Sequence, residues 1–152
     1  MTQAQWATTQ GAWTDAIPAA SLSALANNSI AVGAAVDNTT TVDMLAEISF
    51  ISTAAAIAVT NGGHLAVYLL PVLHDGTTYP TNNVSGTALP AISYVRGIIG
   101  VTNGTVVPAG SVLIQVPYGT WKIGLANRLG VALSASTTAH TCQYRLIVEA
   151  NV

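Results

Sequence analysis

What this sequence lacks is charge. Asp, Glu, Lys and Arg together supply 7% of its 152 residues, against about 25% in an ordinary soluble domain. Arg96, Lys122, Arg128 and Arg145 are the only fixed cations, and the formal net charge is −2. Four dispersed cations cannot build the phosphate-tracking stripe that dominates nucleic-acid affinity, so DNA and RNA are excluded as main partners. Cysteine is equally scarce. Cys142 stands alone, which excludes an internal disulfide and a cysteine zinc cluster. A membrane-spanning helix is missing too. The uncharged stretch from Gly97 to Trp121 is broken by Gly100, Gly104, Pro108, Gly110 and Pro117, far short of the roughly 20 apolar residues a span needs. Met1 to Ala20 hold no basic segment followed by an apolar run, so no secretory signal is expected there.

Thr, Ser, Asn and Gln take the place of charge beside a hydrophobic content of 51%. These side chains hydrate well yet lose less than Lys or Glu when a protein partner covers them. A neutral polar surface of this kind suits burial in an assembly. The length fits one core and leaves no room for a second full domain.

Two regions differ in texture. Residues 1–28 are rich in Gln, Ala and Thr, carry Trp6 and Trp13, and lack a strand period; they are expected to form a mostly irregular arm outside the main domain. Pro18 to Ala26 reads as one short helix, opened by the proline and closed by Asn27-Asn28. Residues 29–152 read as a β-sandwich, because β-branched runs recur between Gly, Pro and Asn. Strands are expected at Ile30–Val36, Asp43–Ile51, His64–Leu73, Ile92–Val101, Val112–Val116, Trp121–Ala126 and Thr141–Glu149, with Ala54–Thr60 as a further candidate.

Several runs alternate as half-buried strands do. Met44, Ala46, Ile48 and Phe50 share one face opposite Asp43, Glu47 and Ser49; Cys142, Tyr144, Leu146 and Val148 lie opposite Gln143, Arg145 and Glu149. His64–Leu73 is apolar on both faces, which calls for a cover on each side, the second being another segment or a subunit. Asn61-Gly62-Gly63, Asp75-Gly76, Asn103-Gly104, Pro108-Ala109-Gly110 and Asn127 to Gly130 mark turns. The connection Asp75–Ala91 is expected to be a long exposed loop. The fold class is therefore all-β: a two-sheet, jelly-roll-like sandwich with an N-terminal arm.

Candidate chemistry is thin. His74-Asp75 with Ser85 or Ser93 is the only combination resembling a hydrolytic set, but Asp75-Gly76 is first a turn signal. No Gly-x-Ser-x-Gly elbow occurs. His64, His74 and His140 lack the close spacing that places two metal ligands on one element. His140 and Cys142, two residues apart, would share a strand face and read as core. Catalytic, cofactor and metal residues are accordingly expected to be none. The residues expected to bind a partner are Trp6, Trp13, Tyr79 and Tyr118. Two tryptophans in a weakly hydrophobic arm have no local core to enter, and aromatic anchors are enriched at interface centres. Tyr79 and Tyr118 sit beside Pro and Gly in turn-like segments.

The segment Trp121-Lys122-Ile123-Gly124-Leu125-Ala126-Asn127-Arg128-Leu129-Gly130-Val131-Ala132-Leu133, with the closing strand Tyr144 to Glu149, resembles the C-terminal end of small bacteriophage virion proteins. The turn Val106 to Ser111 is similar to the same group. The composition and polar N-terminal segment resemble head decoration, cement and head-fibre proteins. The resemblance covers about the last third of the chain. It implies a non-enzymatic virion protein without cofactors, a homo-oligomer with a trimer as the expected assembly, bound to capsid or other virion proteins. The alternative is a carbohydrate- or receptor-binding module that reads a host surface glycan through Tyr79, Trp121 and the Asp75–Ala91 loop.

Overall fold

The computed structural model describes residues 6–40, 43–53, 59, 62–80, 89, 91–101 and 109–151. Its framework is all β. Strand β3 (Ile30–Asn38), β4 (Leu45–Ser52), β5 (His64–Pro71), β6 (Val95–Gly100), β7 (Ala109–Gln115), β8 (Gly119–Arg128) and β9 (His140–Asn151) fall where β-branched runs predict strands. Two further strands, β1 (Trp6–Gln10) and β2 (Thr14–Ile17), precede them, together with helix α1 (Ala19–Leu22). A 3-10 turn at Ile92–Tyr94 begins the run expected as one strand over Ile92–Val101. The candidate strand Ala54–Thr60 lies outside the described residues except for Val59.

All pairings are antiparallel, and they nest. β1 and β2 pair with β9, β3 with β8, β4 with β7, and β5 with β6, so first meets last and each later strand meets one earlier from the end. Two more pairings, β4 with β9 and β5 with β8, fold this nest into a sandwich. The first sheet runs β7–β4–β9, with β1 and β2 following one another along the far edge of β9. The second runs β3–β8–β5–β6.

The N-terminal segment therefore does not leave the sandwich as expected. Trp6↔Asn151 through Gln10↔Ile147 and Thr14↔Tyr144 are sheet registers, and Ala16, Ile17 and Leu22 are buried in the main core. The absent strand period has a local cause. The β2–β9 register shifts between Asp15 and Ile17, so Ala16 and Ile17 are both buried, and a bulge of this kind erases alternation. The helix is also shorter than expected. Ser23 turns extended and gives its hydroxyl to the Ala135 carbonyl at 2.7 Å, while Ala24 adopts φ 53°.

Between the sheets, alternation does what it promised. Ala46, Ile48 and Phe50 from β4 meet Leu65, Trp121, Ile123 and Leu125 from the second sheet, all at 0% exposure. Met44 does not join them. It precedes the first paired residue of β4 and is 61% exposed, while Asp43, expected outward, is buried with its backbone N–H donating to Asn38 Oδ1 at 2.8 Å. At the lateral seams the sheets come close enough to require glycine. A Cβ on Gly33 would meet the Ala16 carbonyl oxygen at 1.8 Å, and one on Gly97 would meet Val112 Cγ2 at 2.7 Å.

β5 is buried along nearly its whole length, as its doubly apolar sequence requires. Its outward residues Ala66, Tyr68 and Leu70 form a second cluster with Ala126, packed on by Ile30, Val32, Leu89, Tyr94 and Val95. The second cover is thus supplied by the same chain.

Candidate functional site

The outer face of the first sheet has no such cover from the described residues. Alternation turns Leu45, Glu47, Ser49 and Ile51 of β4 outward, and antiparallel register sets each beside an outward residue of β7 and β9. Leu113, Glu47 and Arg145 form one row across three strands. Arg145 donates from Nε (2.8 Å) and Nη2 (2.6 Å) to Glu47 Oε2, and from Nη1 to Gln10 Oε1. Its guanidinium carbon lies 4.6 Å from the ring centre of Trp13, which extends the row past β9. The hydrogen bonds from Arg145 hold the Glu47 carboxyl below its usual range; partial burial opposes this and a bond from Ser111 assists it.

That row is flanked by Ser111, Ser49 and Gln143, the last donating to Asp15 Oδ1 at 3.0 Å. Leu45, Gln115 and Ile147 form the row on the other side. Leu113 is 54%, Ile51 44% and Trp13 40% exposed. Cation–π stacking leaves the rest of the indole open to a partner. The face thus combines a fixed ion pair with exposed apolar groups.

The four residues expected to bind a partner are not gathered into one site. Trp6 lies in β1 opposite Asn151, and its side chain is outside the described residues. Trp13 belongs to the row above. Tyr79 lies over the second sheet, its ring centre 4.2 Å from Lys122 Nζ. Tyr118, 69% exposed, sits in the β7–β8 turn before Gly119, whose φ is 101°. Trp121, the third aromatic named for the glycan alternative, is wholly buried, with its ring edge-on to Tyr144 at 6.3 Å, so its faces are not open to a sugar. Sequence reasoning placed Glu47 and Arg145 outward on separate strands but could not pair them, because register is invisible in a single sequence.

The remaining polar groups are largely committed to structure. Asp75 Oδ1 accepts from the backbone N–H of Thr77 at 3.0 Å and Thr78 at 2.8 Å, which closes its own turn; the Thr78 hydroxyl first, and then these N–H groups, lower its pKa. His140 is buried, stacked on Phe50 at 6.0 Å, and desolvation lowers its pKa so that it sits neutral in the core. No group of three or more His, Cys, Asp or Glu suited to a metal occurs among the described residues. A cleft of about 290 Å³ is lined by Leu69, Pro71, Arg96, Gln115, Val116 and Pro117. Arg96 Nη1 is held by the carbonyls of Ser93 (2.5 Å) and Val95 (3.2 Å).

Cys142 points into the core at 1% exposure, and burial pushes its thiol up to about 12, with the nearby Asp15 charge adding to the effect. The thiolate is the reactive species. An aromatic disulfide reagent should therefore label the native protein at least about 100-fold more slowly than the unfolded chain. Equal rates would show that Cys142 is accessible.

Comparison with protein-family models, with curated proteins and with solved structures finds no match to this chain.

Proposed function

We propose that this chain is a non-enzymatic structural protein of a bacteriophage particle, a decoration, cement or head-fibre component built on a jelly roll and assembling with its own copies. The strand order carries this reading. With β1 and β2 taken as one interrupted strand, the sheets run first–eighth–third–sixth and second–seventh–fourth–fifth. That is the order of a long hairpin wrapped into two sheets, an architecture shared by capsid domains, lectins and cupins.

Site chemistry separates those three, since fold alone does not assign function. A cupin-like role needs interior ligands, whereas the interior here is occupied by Trp121, Phe50, Ile48 and Leu125. A lectin-like role loses Trp121 to the core and has Tyr79 against Lys122. A capsid-associated role asks for a low-charge surface with exposed anchors. The 7% charge and the outer face of the first sheet supply both.

Mass spectrometry of purified particles from the genome that encodes this chain should find it at a fixed, high copy number. Light scattering on the isolated protein should give a mass above that of one 15.5 kDa chain at micromolar concentration. A monodisperse monomer together with absence from the particles would overturn the reading. A sugar-selective signal on a glycan array would favour the receptor-binding alternative instead.

A further inference from the structure

We infer that the outer face of the first sheet binds a second copy of this chain, related by a twofold axis that runs along the strands between β4 and β9. The inference rests on the self-assembly reading above and adds the surface and its symmetry.

The argument is one of complementarity. Crossing the sheet from β7 to the far side of β9, one row reads Leu113, Glu47, Arg145, Trp13: apolar, acid, base, aromatic. A twofold axis along the strands reverses this order in the facing copy. Leu113 then meets the second copy's Trp13, and Glu47 meets its Arg145, with both contacts made twice. The neighbouring rows obey the same rule. Ser111, Ser49, Gln143, Asp15 reversed sets Asp15 against the serine hydroxyl and Ser49 against the Gln143 amide. In the next row Leu45 meets Ile147. No like charges face each other in these rows. An axis along the rows would instead oppose Glu47 to Glu47 and Arg145 to Arg145, which costs affinity.

The contrast between the two sheets supports the choice of face. On the second sheet's outer face Ala66, Tyr68, Leu70 and Ala126 are packed over by Leu89, Tyr94 and Val95 of the same chain, which leaves Ile98 of the edge strand β6 57% exposed. On the first sheet, Leu113 and Ile51 remain about half exposed. Four strands at ~4.8 Å spacing and about seven residues at ~3.3 Å make a face of roughly 20 by 23 Å. Two copies would together cover on the order of 1,000 Å², the lower end for a specific interface, which suits a weak contact repeated on a particle. The isologous contact closes at two copies. A trimer would need a different surface.

A charge-swap pair tests this. Glu47→Lys gives the row from Leu113 to Trp13 two cations, and Arg145→Glu gives that row two anions. Each variant alone should associate at least about 100-fold more weakly than the native chain, from like-charge juxtaposition at the contact. Mixed one to one, they should recover a heterodimer of twice 15.5 kDa, which loss of the intramolecular ion pair alone cannot produce. Leu113→Asp should weaken association similarly while leaving the thermal midpoint within a few degrees, because that side chain is more than half exposed. Native-like association by the folded variants, or a mixture that stays monomeric, overturns the inference. An oligomer indifferent to all three changes overturns this face alone; a native chain that is monomeric throughout overturns the self-assembly reading as well.

Discussion

Trp121→Ala should destabilise the sandwich by about 4 kcal/mol, a large part of the roughly 5–15 kcal/mol that holds a domain of this size together. The indole is at 0% exposure, set between Val36 and Pro71 by strand register and packed edge-on to Tyr144 from the opposite sheet. Alanine would leave a cavity where both sheets meet, and the midpoint should fall by about 10–15 °C in a thermal melt. Trp121→Phe separates packing from polarity. The indole N–H is buried with no hydrogen-bond partner among the described residues, so removing it relieves an uncompensated donor while most of the ring volume remains. The phenylalanine variant should lie within about 1 kcal/mol of the native protein. If alanine and phenylalanine cost the same, the indole nitrogen is bonded in solution and the energetics rest on that bond.

Asn127→Ala should cost about 3 kcal/mol even though little volume is lost. Asn127 is wholly buried; its Nδ2 donates to the carbonyls of Leu25 and Val131, both at 2.8 Å, and its Oδ1 accepts from the Leu129 N–H at 3.0 Å. One amide thereby ties the segment after α1 to the turn after β8. Alanine strands the Val131 carbonyl and takes the Asn127 acceptor from the Leu129 N–H, while the Leu25 carbonyl keeps the Leu133 N–H at 3.0 Å; a buried polar group left unpaired is costlier than a missing contact. Hydrogen exchange should accelerate around Leu25 and Val131 before it does in β5. Asn127→Asp gives a sharper test. At neutral pH its carboxylate would face two carbonyl oxygens, so it should be at least as destabilising as alanine. A buried carboxyl whose neutral form is the better donor has a raised pKa in the folded state. Its deficit relative to the native protein should therefore shrink as pH falls and the group is protonated. A deficit that does not change with pH would mean water reaches the site.

These two residues also mark how far the sequence could be read. Trp121 alternates with Lys122 in a run of period two, and its inward direction follows from that alone. Asn127 was legible only as a turn residue. Its three bonds span Leu25 to Val131, and no local pattern announces a contact across so much chain. The same limit explains the N-terminal strands. β2 hides its period behind a bulge, and β1 lies in a Thr- and Gln-rich stretch at the sheet edge, with no apolar stripe to announce a strand. At the candidate site, outward directions were readable on β4 and β9 separately. The row joining Leu113, Glu47, Arg145 and Trp13 needed register, which residue types alone do not encode.

The nested pairing also bears on how the chain reaches its folded state. β8 and β9, the last two strands of the described residues, both take interior positions, one in each sheet. Until they emerge, β4–β7 and β5–β6 are isolated ribbons and β1, β2 and β3 have no neighbour to pair with. A nascent chain stopped before β8 therefore presents open edges on every strand, the condition that invites aggregation. Folding must wait for β8 and β9 and then proceed over contacts of wide sequence separation, which places it among slow, topology-limited folders. In a cell, protein would accumulate with both strands in place or be lost, with no stable half-domain between.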